Sequence, residues 1–292
     1  MTKNRATLIG FSAVLLWAAL AFFTVGSAPV PPLLLNAICF AIGGALGIVW
    51  TAASGDIRAL KQVPLRVYLF GIIGLFGYHA LYFTALRLSP AAEAGLIAYL
   101  WPLLIVLFSS LLPGERLRAG HAAGALLGFV GAAVIILGKG AAGFSLAFLP
   151  GYGLALCCAL TWSAYSVGSR FVGAAPTSSV AVFCIGASVL SAVLHVVLEE
   201  TIWPVSTMGW LSVAALGLGP VGLAFYTWDI GVKHGEIQLL GTSAYAAPLL
   251  STLLLVVTGT AEPSWGLAAA AVLITAGAVL AARASMRARK SG

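Results

Sequence analysis

Aromatic side chains and one histidine recur at helical spacing in the apolar parts of this sequence. Tyr78, His79 and Tyr82 stand at positions i, i+1 and i+4, so a helix places them on one face. Trp162 and Tyr165 share a helix face in the same way. Each of these side chains joins an apolar body to a polar end, and such groups suit sites that bind flat apolar molecules with a polar end.

Other aromatic residues lie in the middle of long apolar segments. There an indole N–H or a phenol is unstable unless it faces water in a cavity or bonds to a neighbouring helix. Several helices that each offer one aromatic face favour a shared central cavity. We therefore predict a substrate cavity lined by Trp17, Tyr78, His79, Tyr82, Tyr99, Trp101, Trp162, Tyr165 and Tyr245.

The elements that must position these residues are membrane helices. Of the 292 residues, 61% are hydrophobic and 8% are charged, and the mean hydropathy is +1.06. Soluble domains carry about 25% charged residues, so a water-soluble fold is excluded and lipid must cover this chain. A crossing takes about 20 apolar residues. The apolar runs predict an all-α integral membrane protein with spans at residues 7–27, 30–52, 66–88, 90–112, 119–138, 150–170, 178–198, 208–231, 236–258 and 264–284.

The distribution of positive charge predicts the orientation of these spans. If the N-terminus is cytoplasmic, all but two of the 15 Lys and Arg residues fall on the cytoplasmic side; the exceptions are Arg87 and Lys139. Short loops rich in Lys and Arg stay in the cytoplasm. We therefore expect both termini inside a bacterial inner membrane. The net charge of +7 then reflects topology rather than nucleic-acid binding.

The four cysteines lie within apolar runs, where they act as small hydrophobic residues. They show neither a disulfide framework nor the spacing of zinc ligands. We therefore expect no metal and no cofactor in this protein.

The two halves of the sequence repeat one pattern. Residues 99–104, YLWPLL, match residues 245–250, YAAPLL, and shorter matches precede and follow them in the same order. Because each half contains five spans, an odd number, the second copy must enter the membrane from the opposite side. The sequence thus predicts a single transmembrane domain, 1–292, built from inverted five-helix repeats at 1–145 and 146–292.

These features resemble the drug/metabolite transporter superfamily, in particular its ten-span EamA-type exporters. The likeness rests on the five-plus-five repeat, the paired aromatic-x-x-Pro-Leu-Leu segments, the loop acids Glu115 and Glu262 that follow them, and the closing helices rich in Gly and Ala. The aromatic middle, with Trp17, Tyr78 and Trp101, is similar to that of bacterial aromatic amino acid exporters. The resemblance implies export of aromatic and other neutral amino acids, with alternating access through the central cavity.

Pro102 and Pro248 occupy matching positions in the paired segments. Each lacks the N–H that would bond the carbonyl four residues earlier, so a kink is expected at each proline. The kink is either a packing feature or a hinge whose freed carbonyl meets a substrate ammonium. The sequence leaves both interpretations open.

The sequence also bears on the driving force of transport. No Asp, Glu, Lys or Arg lies near the centre of a span, whereas ion-driven carriers usually bury an acidic group. His79 is deep enough for a proton relay, but a neutral hydrogen-bonding role is favoured. We therefore expect facilitated diffusion of a small molecule through a monomer that needs only the lipid bilayer and no obligate protein partner. A proton-coupled exporter of drugs or other metabolites is the alternative.

Other classes of membrane protein fit less well. An enzyme embedded in the membrane needs clustered acids, bases or nucleophiles, whereas His121, His195 and His234 are scattered at span ends. A nucleotide-sugar carrier would need deep cations for its phosphates. Duplicated halves favour alternating access over a permanently open channel.

Overall fold

The computed structural model describes residues 1–55, 57–138, 140–172, 175–259 and 262–290, with side chains up to residue 287. Lys139, used above to predict orientation, lies outside the described residues. The regular secondary structure of this part of the chain is helical, and ten helices are long and apolar enough to cross a membrane, which confirms the predicted ten-span helical fold. In chain order, α1 to α10 are Lys3–Gly26, Pro32–Ala53, Leu65–Leu88, Ala91–Leu111, Ala119–Leu137, Leu146–Gly168, Ser179–Leu198, Thr207–His234, Ile237–Val257 and Trp265–Arg287.

Several helices extend a few residues past the predicted spans, because polar residues stabilise their ends. α1 begins at Lys3, where the Thr2 hydroxyl accepts a hydrogen bond from the Arg5 backbone N–H. α8 continues to His234, and Lys233 Nζ lies 2.9 Å from Asp229 Oδ1 one turn earlier. Hydropathy alone does not register these polar turns.

Four spans are interrupted within the membrane. α4 consists of Ala91–Ala98 and Trp101–Phe108, and α9 consists of Ile237–Ser243 and Ala246–Val257. Both breaks fall just before a proline, which cannot donate to the preceding turn. α8 contains a π-helical turn at Gly219–Leu223 that includes Pro220, and α1 is divided at Ala19. The bundle therefore has irregular backbone at the depth where the aromatic residues lie.

Each helix of the first half packs against a helix of the second half. The pairs are α1 with α8, α2 with α7, α3 with α6, α4 with α9, and α5 with α10. Glycine permits the closest approaches: a Cβ built on Gly10 would lie 2.7 Å from the Cα of Gly231, and one on Gly124 would lie 2.5 Å from the carbonyl oxygen of Gly277. Such contacts suit a bilayer, where helices associate by close packing rather than by a hydrophobic force.

Candidate functional site

A cavity of about 170 Å³ lies among α1, α3, α4, α6 and α8. This volume has room for on the order of ten water molecules, so it can hold a small organic molecule. Most of the lining is aromatic. The lining residues are Trp17, Leu20, Tyr78, His79, Tyr82, Ala98, Tyr99, Trp101, Trp162, Pro220, Val221 and Phe225.

The cavity brings together seven of the nine side chains that the sequence predicts for a substrate site: Trp17, Tyr78, His79, Tyr82, Tyr99, Trp101 and Trp162. Tyr78 is their link, since its ring centroid lies 5.1 Å from His79, 6.2 Å from Tyr82 and 5.3 Å from Trp162. The break before Pro102 sets Tyr99 and Trp101 on the wall of the same cavity.

Tyr165 and Tyr245, the other two predicted residues, are outside this lining and pack between helices. A Cβ built on Gly74 would lie 2.5 Å from the Tyr165 ring, and one on Gly128 would lie 2.5 Å from the Tyr245 ring. The Tyr245 hydroxyl accepts a hydrogen bond from the Leu103 backbone N–H at 3.0 Å. Both tyrosines therefore fill space above a glycine of a neighbouring helix in this conformation.

Trp17 is the centre of an aromatic cluster at one end of the cavity. Its ring lies 5.9 Å from Trp101, 6.0 Å from Trp162, 6.4 Å from Phe225 and 5.1 Å from Trp228. Edge and tilted contacts of this kind are favoured by the quadrupoles of the rings. The rings of this cluster occupy one end of the cavity.

Phe225 and Trp228 lie at or next to the cavity but were not predicted from the sequence. Phe225 lines the cavity, and Trp228 is fully buried just beyond it, where its Nε1 donates to Ser166 Oγ at 3.1 Å. The available signal was their separation of three residues in the eighth span, which puts both rings on one helix face.

The π-helical turn of α8 also belongs to the cavity wall. Pro220 and Val221 line the cavity, and Trp17 Nε1 donates to the carbonyl oxygen of Pro220 at 3.0 Å. The hydrogen bond satisfies one of the buried indole N–H groups singled out in the sequence. It also joins α1 to α8 at the level of the cavity.

Ion pairs bind four segments together at the end of the bundle where α1 begins. We call Lys3, Glu115, Arg170 and Glu236 the Lys3 network. Glu115 Oε1 lies 2.6 Å from Arg170 Nη1 and 3.5 Å from Lys3 Nζ, and Lys3 Nζ lies 3.2 Å from Glu236 Oε1. Arg170 also donates to the carbonyl oxygens of Val232 and Gly235, and its side chain thereby caps the end of α8. The network thus ties α1 to three connections: α4–α5, α6–α7 and α8–α9.

Glu115 is ionised within this network. Burial by itself would raise the pKa of Glu115, but the hydrogen bond and charge of Arg170, with the charge of Lys3, lower it below the ordinary value of 4.5. The carboxylate is therefore charged at neutral pH and holds its two cations.

A second cluster of polar contacts lies at the opposite end. Glu199 accepts hydrogen bonds from the backbone N–H groups of Leu33 and Leu34 at the start of α2, and Arg87 Nη2 lies 3.0 Å from its Oε1. His195 Nδ1 lies 3.0 Å from Glu199 Oε2. These contacts join α2, α3 and α7, whereas α1, α4, α6 and α8 form most of the cavity wall.

The cavity is nearer to this second end than to the Lys3 network. Trp17 and Leu20 lie in the second half of α1, and Tyr82 lies near the end of α3, both directions leading away from Lys3. Trp228 lies between the cavity and the Lys3 network, six residues before the end of α8. The aromatic cluster and the Lys3 network therefore both separate the cavity from the end of the bundle where α1 begins.

Comparisons with known proteins agree with this architecture. The sequence model of the EamA-like transporter family matches residues 4–137 and residues 149–283. A relative in Ancylobacter novellus, named aromatic amino acid exporter YddG, is 56% identical over 283 residues, which cover 96% of this chain and 98% of the relative. A protein of the same name in Escherichia coli K12 is 29% identical over 301 residues and covers 98% of this chain and 100% of its own.

A solved crystal structure of a protein 54% identical in sequence has a TM-score of 0.92 and covers 96% of this chain and 98% of its own. The likeness extends over nearly the whole bundle. The family match and the curated relatives point to a transporter and not to an enzyme. The chain belongs to the EamA-like transporter family.

Proposed function

We propose that this protein exports aromatic and other neutral amino acids across the bacterial inner membrane through the central cavity. The observation that carries the proposal is the lining: seven aromatic or imidazole side chains that the sequence singled out surround a space for a small molecule. Stacked and edge-on rings suit a flat apolar side chain. The names of the relatives, which refer to aromatic amino acid export, support the same substrate class.

The architecture that we propose is a pair of inverted repeats, 1–145 and 146–292, in a monomer with both termini in the cytoplasm. A two-fold axis that exchanges α1–α5 with α6–α10 turns the pair α1–α8 into α6–α3, and both pairs are in contact. The same axis maps α2–α7, α4–α9 and α5–α10 onto themselves, and these pairs also pack together. The double match of the family supports this division.

The transport cycle that we propose is alternating access. With the termini in the cytoplasm, the Lys3 network lies at the cytoplasmic end and the cavity lies toward the outside. The present conformation is then closed to the cytoplasm by the network and by the aromatic cluster around Trp17. Loading from the cytoplasm requires these contacts to open while the outer ends of α1, α4, α6 and α8 approach one another.

The driving force that we propose is the gradient of the amino acid itself. Among the described residues, those lining the cavity carry no carboxylate, which is the usual site of a coupling ion. Glu93 is fully buried, but it lies at the outer end of α4, where its Oε1 accepts a hydrogen bond from the Gly143 backbone N–H at 2.6 Å. It does not line the cavity.

The test is uptake of labelled tryptophan, phenylalanine and threonine into proteoliposomes, with and without an imposed pH gradient. We expect saturable uptake of tryptophan and phenylalanine at the same rate in both conditions. Uptake that rises with the gradient would replace facilitated diffusion by proton antiport, with His79 as the first residue to mutate. Failure to transport any of the three amino acids, together with uptake of a labelled lipophilic cation, would contradict the proposal and favour an exporter of drugs.

A further inference from the structure

An amino acid that enters the cavity brings two opposite charges, yet the lining that the structure describes includes no Asp, Glu, Lys or Arg. A buried charge without a partner is strongly destabilised. The ammonium and the carboxylate must therefore be bound by neutral hydrogen-bonding groups. The positions of the donors and acceptors decide which group binds which charge.

His79 presents an acceptor to this cavity. Its Nδ1 lies 2.8 Å from the carbonyl oxygen of Leu75, one turn earlier in α3. A carbonyl oxygen only accepts hydrogen bonds, so Nδ1 must carry the hydrogen. In the neutral ring Nε2 then carries the lone pair, and it can accept a hydrogen bond but cannot donate one.

Nε2 of His79 is also free to meet a ligand. It has no hydrogen-bond partner in the described part of the chain, yet protein atoms do not fully enclose it, so a ligand can reach it. The rings around His79 belong to Phe40, Phe83 and Phe225, with centroids 5.1, 6.2 and 6.2 Å away, and to Tyr78. Phenylalanine side chains offer no competing hydrogen bond, while their faces attract a cation.

The remaining polar side chains of the lining are able to donate. In the described part of the chain, no hydrogen bond is recorded for the hydroxyls of Tyr78, Tyr82 and Tyr99 or for Nε1 of Trp101 and Trp162. Indole N–H groups only donate, and phenols donate readily. A carboxylate, which only accepts, is complementary to this set and not to Nε2 of His79.

We infer that Nε2 of His79 accepts a hydrogen bond from the ammonium group of the substrate, while the Tyr and Trp donors bind its carboxylate. The inference rests on the proposed function and adds to it the group that recognises the amine. His79 is then a specificity-determining residue that selects ligands with a protonated amine. The ring is neutral because the described lining of the cavity offers no carboxylate to pair with an imidazolium. The Leu75 carbonyl sets the orientation and the tautomer of this neutral ring.

The test compares ligands that carry one charge or the other. Binding of tryptophan, of tryptamine, which lacks the carboxylate, and of indole-3-propionate, which lacks the amine, is measured on the purified protein and on His79→Phe, His79→Gln and Tyr78→Phe. Phenylalanine removes the acceptor at similar size, and glutamine restores one. Tyr78→Phe removes a neighbouring donor and serves as the matched control.

We expect His79→Phe to weaken tryptophan and tryptamine about tenfold to a hundredfold and to leave indole-3-propionate nearly unchanged, since a hydrogen bond to a charged group is lost. His79→Gln should recover part of the tryptamine affinity, and Tyr78→Phe should weaken tryptophan and indole-3-propionate but not tryptamine. The measured quantity is the ratio of the tryptamine and indole-3-propionate affinities, which a general loss of folded protein does not change.

A ratio equal to that of the wild-type protein in both His79 variants would overturn the inference, even if tryptophan is transported normally. Absence of tryptophan binding to the wild-type protein would instead overturn the proposed function, and this inference with it.

Discussion

At the scale of single residues, side chains of the same type have different environments. Trp101 and Trp162 line the cavity, whereas Trp203 lies in the α7–α8 connection, 51% exposed and stacked on Trp210. Tyr99 lines the cavity, whereas Tyr245, its counterpart in the repeated motif, is fully buried between helices. Residue type therefore predicts a candidate, and position in the bundle decides its contacts.

Replacing Tyr78 or Trp101 by alanine should impair transport without impairing folding. Each change removes a ring and a polar group that contact the substrate in the cavity. A rise of about 1.4 kcal/mol in the free-energy barrier to transport corresponds to a tenfold lower rate. We expect initial uptake to fall about tenfold or more at a normal level of protein in the membrane. Trp203→Ala serves as the control and should transport normally. Unchanged rates for both cavity variants would contradict this placement.

At the scale of helices, glycines and tyrosines together set the spacing of α3 and α6. A Cβ on Gly74 would lie 2.5 Å from the Tyr165 ring, whereas one on Gly77, a turn further along, would lie 3.6 Å from Thr161. The first distance is a clash, and the second is an ordinary van der Waals contact. The two glycines therefore have different roles in the same helix.

Gly74→Ala should destabilise the protein, and Gly77→Ala should not. Overpacking at Gly74 pushes α3 away from Tyr165 and costs about 1–3 kcal/mol. Thermal unfolding in detergent, followed by fluorescence-detected size exclusion, measures the difference. Equal melting temperatures for the two variants would show that the contact is looser than the structure indicates.

The breaks in α4 and α9 provide a prediction for the two prolines. If the breaks before Pro102 and Pro248 act as hinges, continuous helices should bend less easily during the cycle. We expect the double variant Pro102→Ala, Pro248→Ala to bind tryptophan normally and to transport it several times more slowly. Normal turnover would leave the prolines as packing features, which the sequence kept open.

At the scale of the whole molecule, the Lys3 network closes one end of the bundle with contacts of unequal strength. The side chain of Lys3 is 47% exposed, whereas those of Arg170 and Glu115 are 16% and 12% exposed. Water screens the ion pairs that Lys3 makes, and exposed ion pairs contribute about 0–1 kcal/mol. Arg170 has three partners in a less exposed position, and its loss should cost on the order of 2–3 kcal/mol.

Arg170→Ala should therefore shift the population toward conformations open at the Lys3 end. The reporter is Ser166→Cys, in a chain whose four native cysteines are replaced by alanine. Ser166 is fully buried and accepts a hydrogen bond from Trp228, next to the aromatic cluster. We expect an impermeant thiol reagent applied from that side to label it faster in Arg170→Ala and only slightly faster in Lys3→Ala. Arg87→Ala, at the opposite end, is the control. Equal labelling in all of them would argue against a closing role for the network.

The same network predicts how stability depends on pH. The pKa of Glu115 is lowered in the folded protein, so its contribution is fully present above the ordinary value of 4.5 and is lost as pH falls through the lowered pKa. We expect Glu115→Gln to melt at a lower temperature than the wild-type protein near neutral pH. The difference should be constant down to about pH 5 and should vanish in stronger acid. A difference that disappears above pH 6 would assign the effect to another group.

The sequence by itself determined the ten-span helical fold, the transporter family and most of the cavity candidates. Hydropathy and helical spacing are properties of neighbouring residues, so they can be read along the chain. Tyr78, His79 and Tyr82 line the same cavity because they lie on one turn of one helix. The family was recognisable because the motif around Pro102 recurs around Pro248 at the expected interval.

Only the tertiary structure decided which aromatic residues meet and which ends are joined. Tyr165 and Tyr245 pack against Gly74 and Gly128 of other helices, and Trp228 completes a cluster around Trp17. Lys3, Glu115, Arg170 and Glu236 are far apart in sequence but lie within one ion-pair network. Such contacts depend on the rotation, the breaks and the close approach of separate helices, and no pattern along a single helix specifies them.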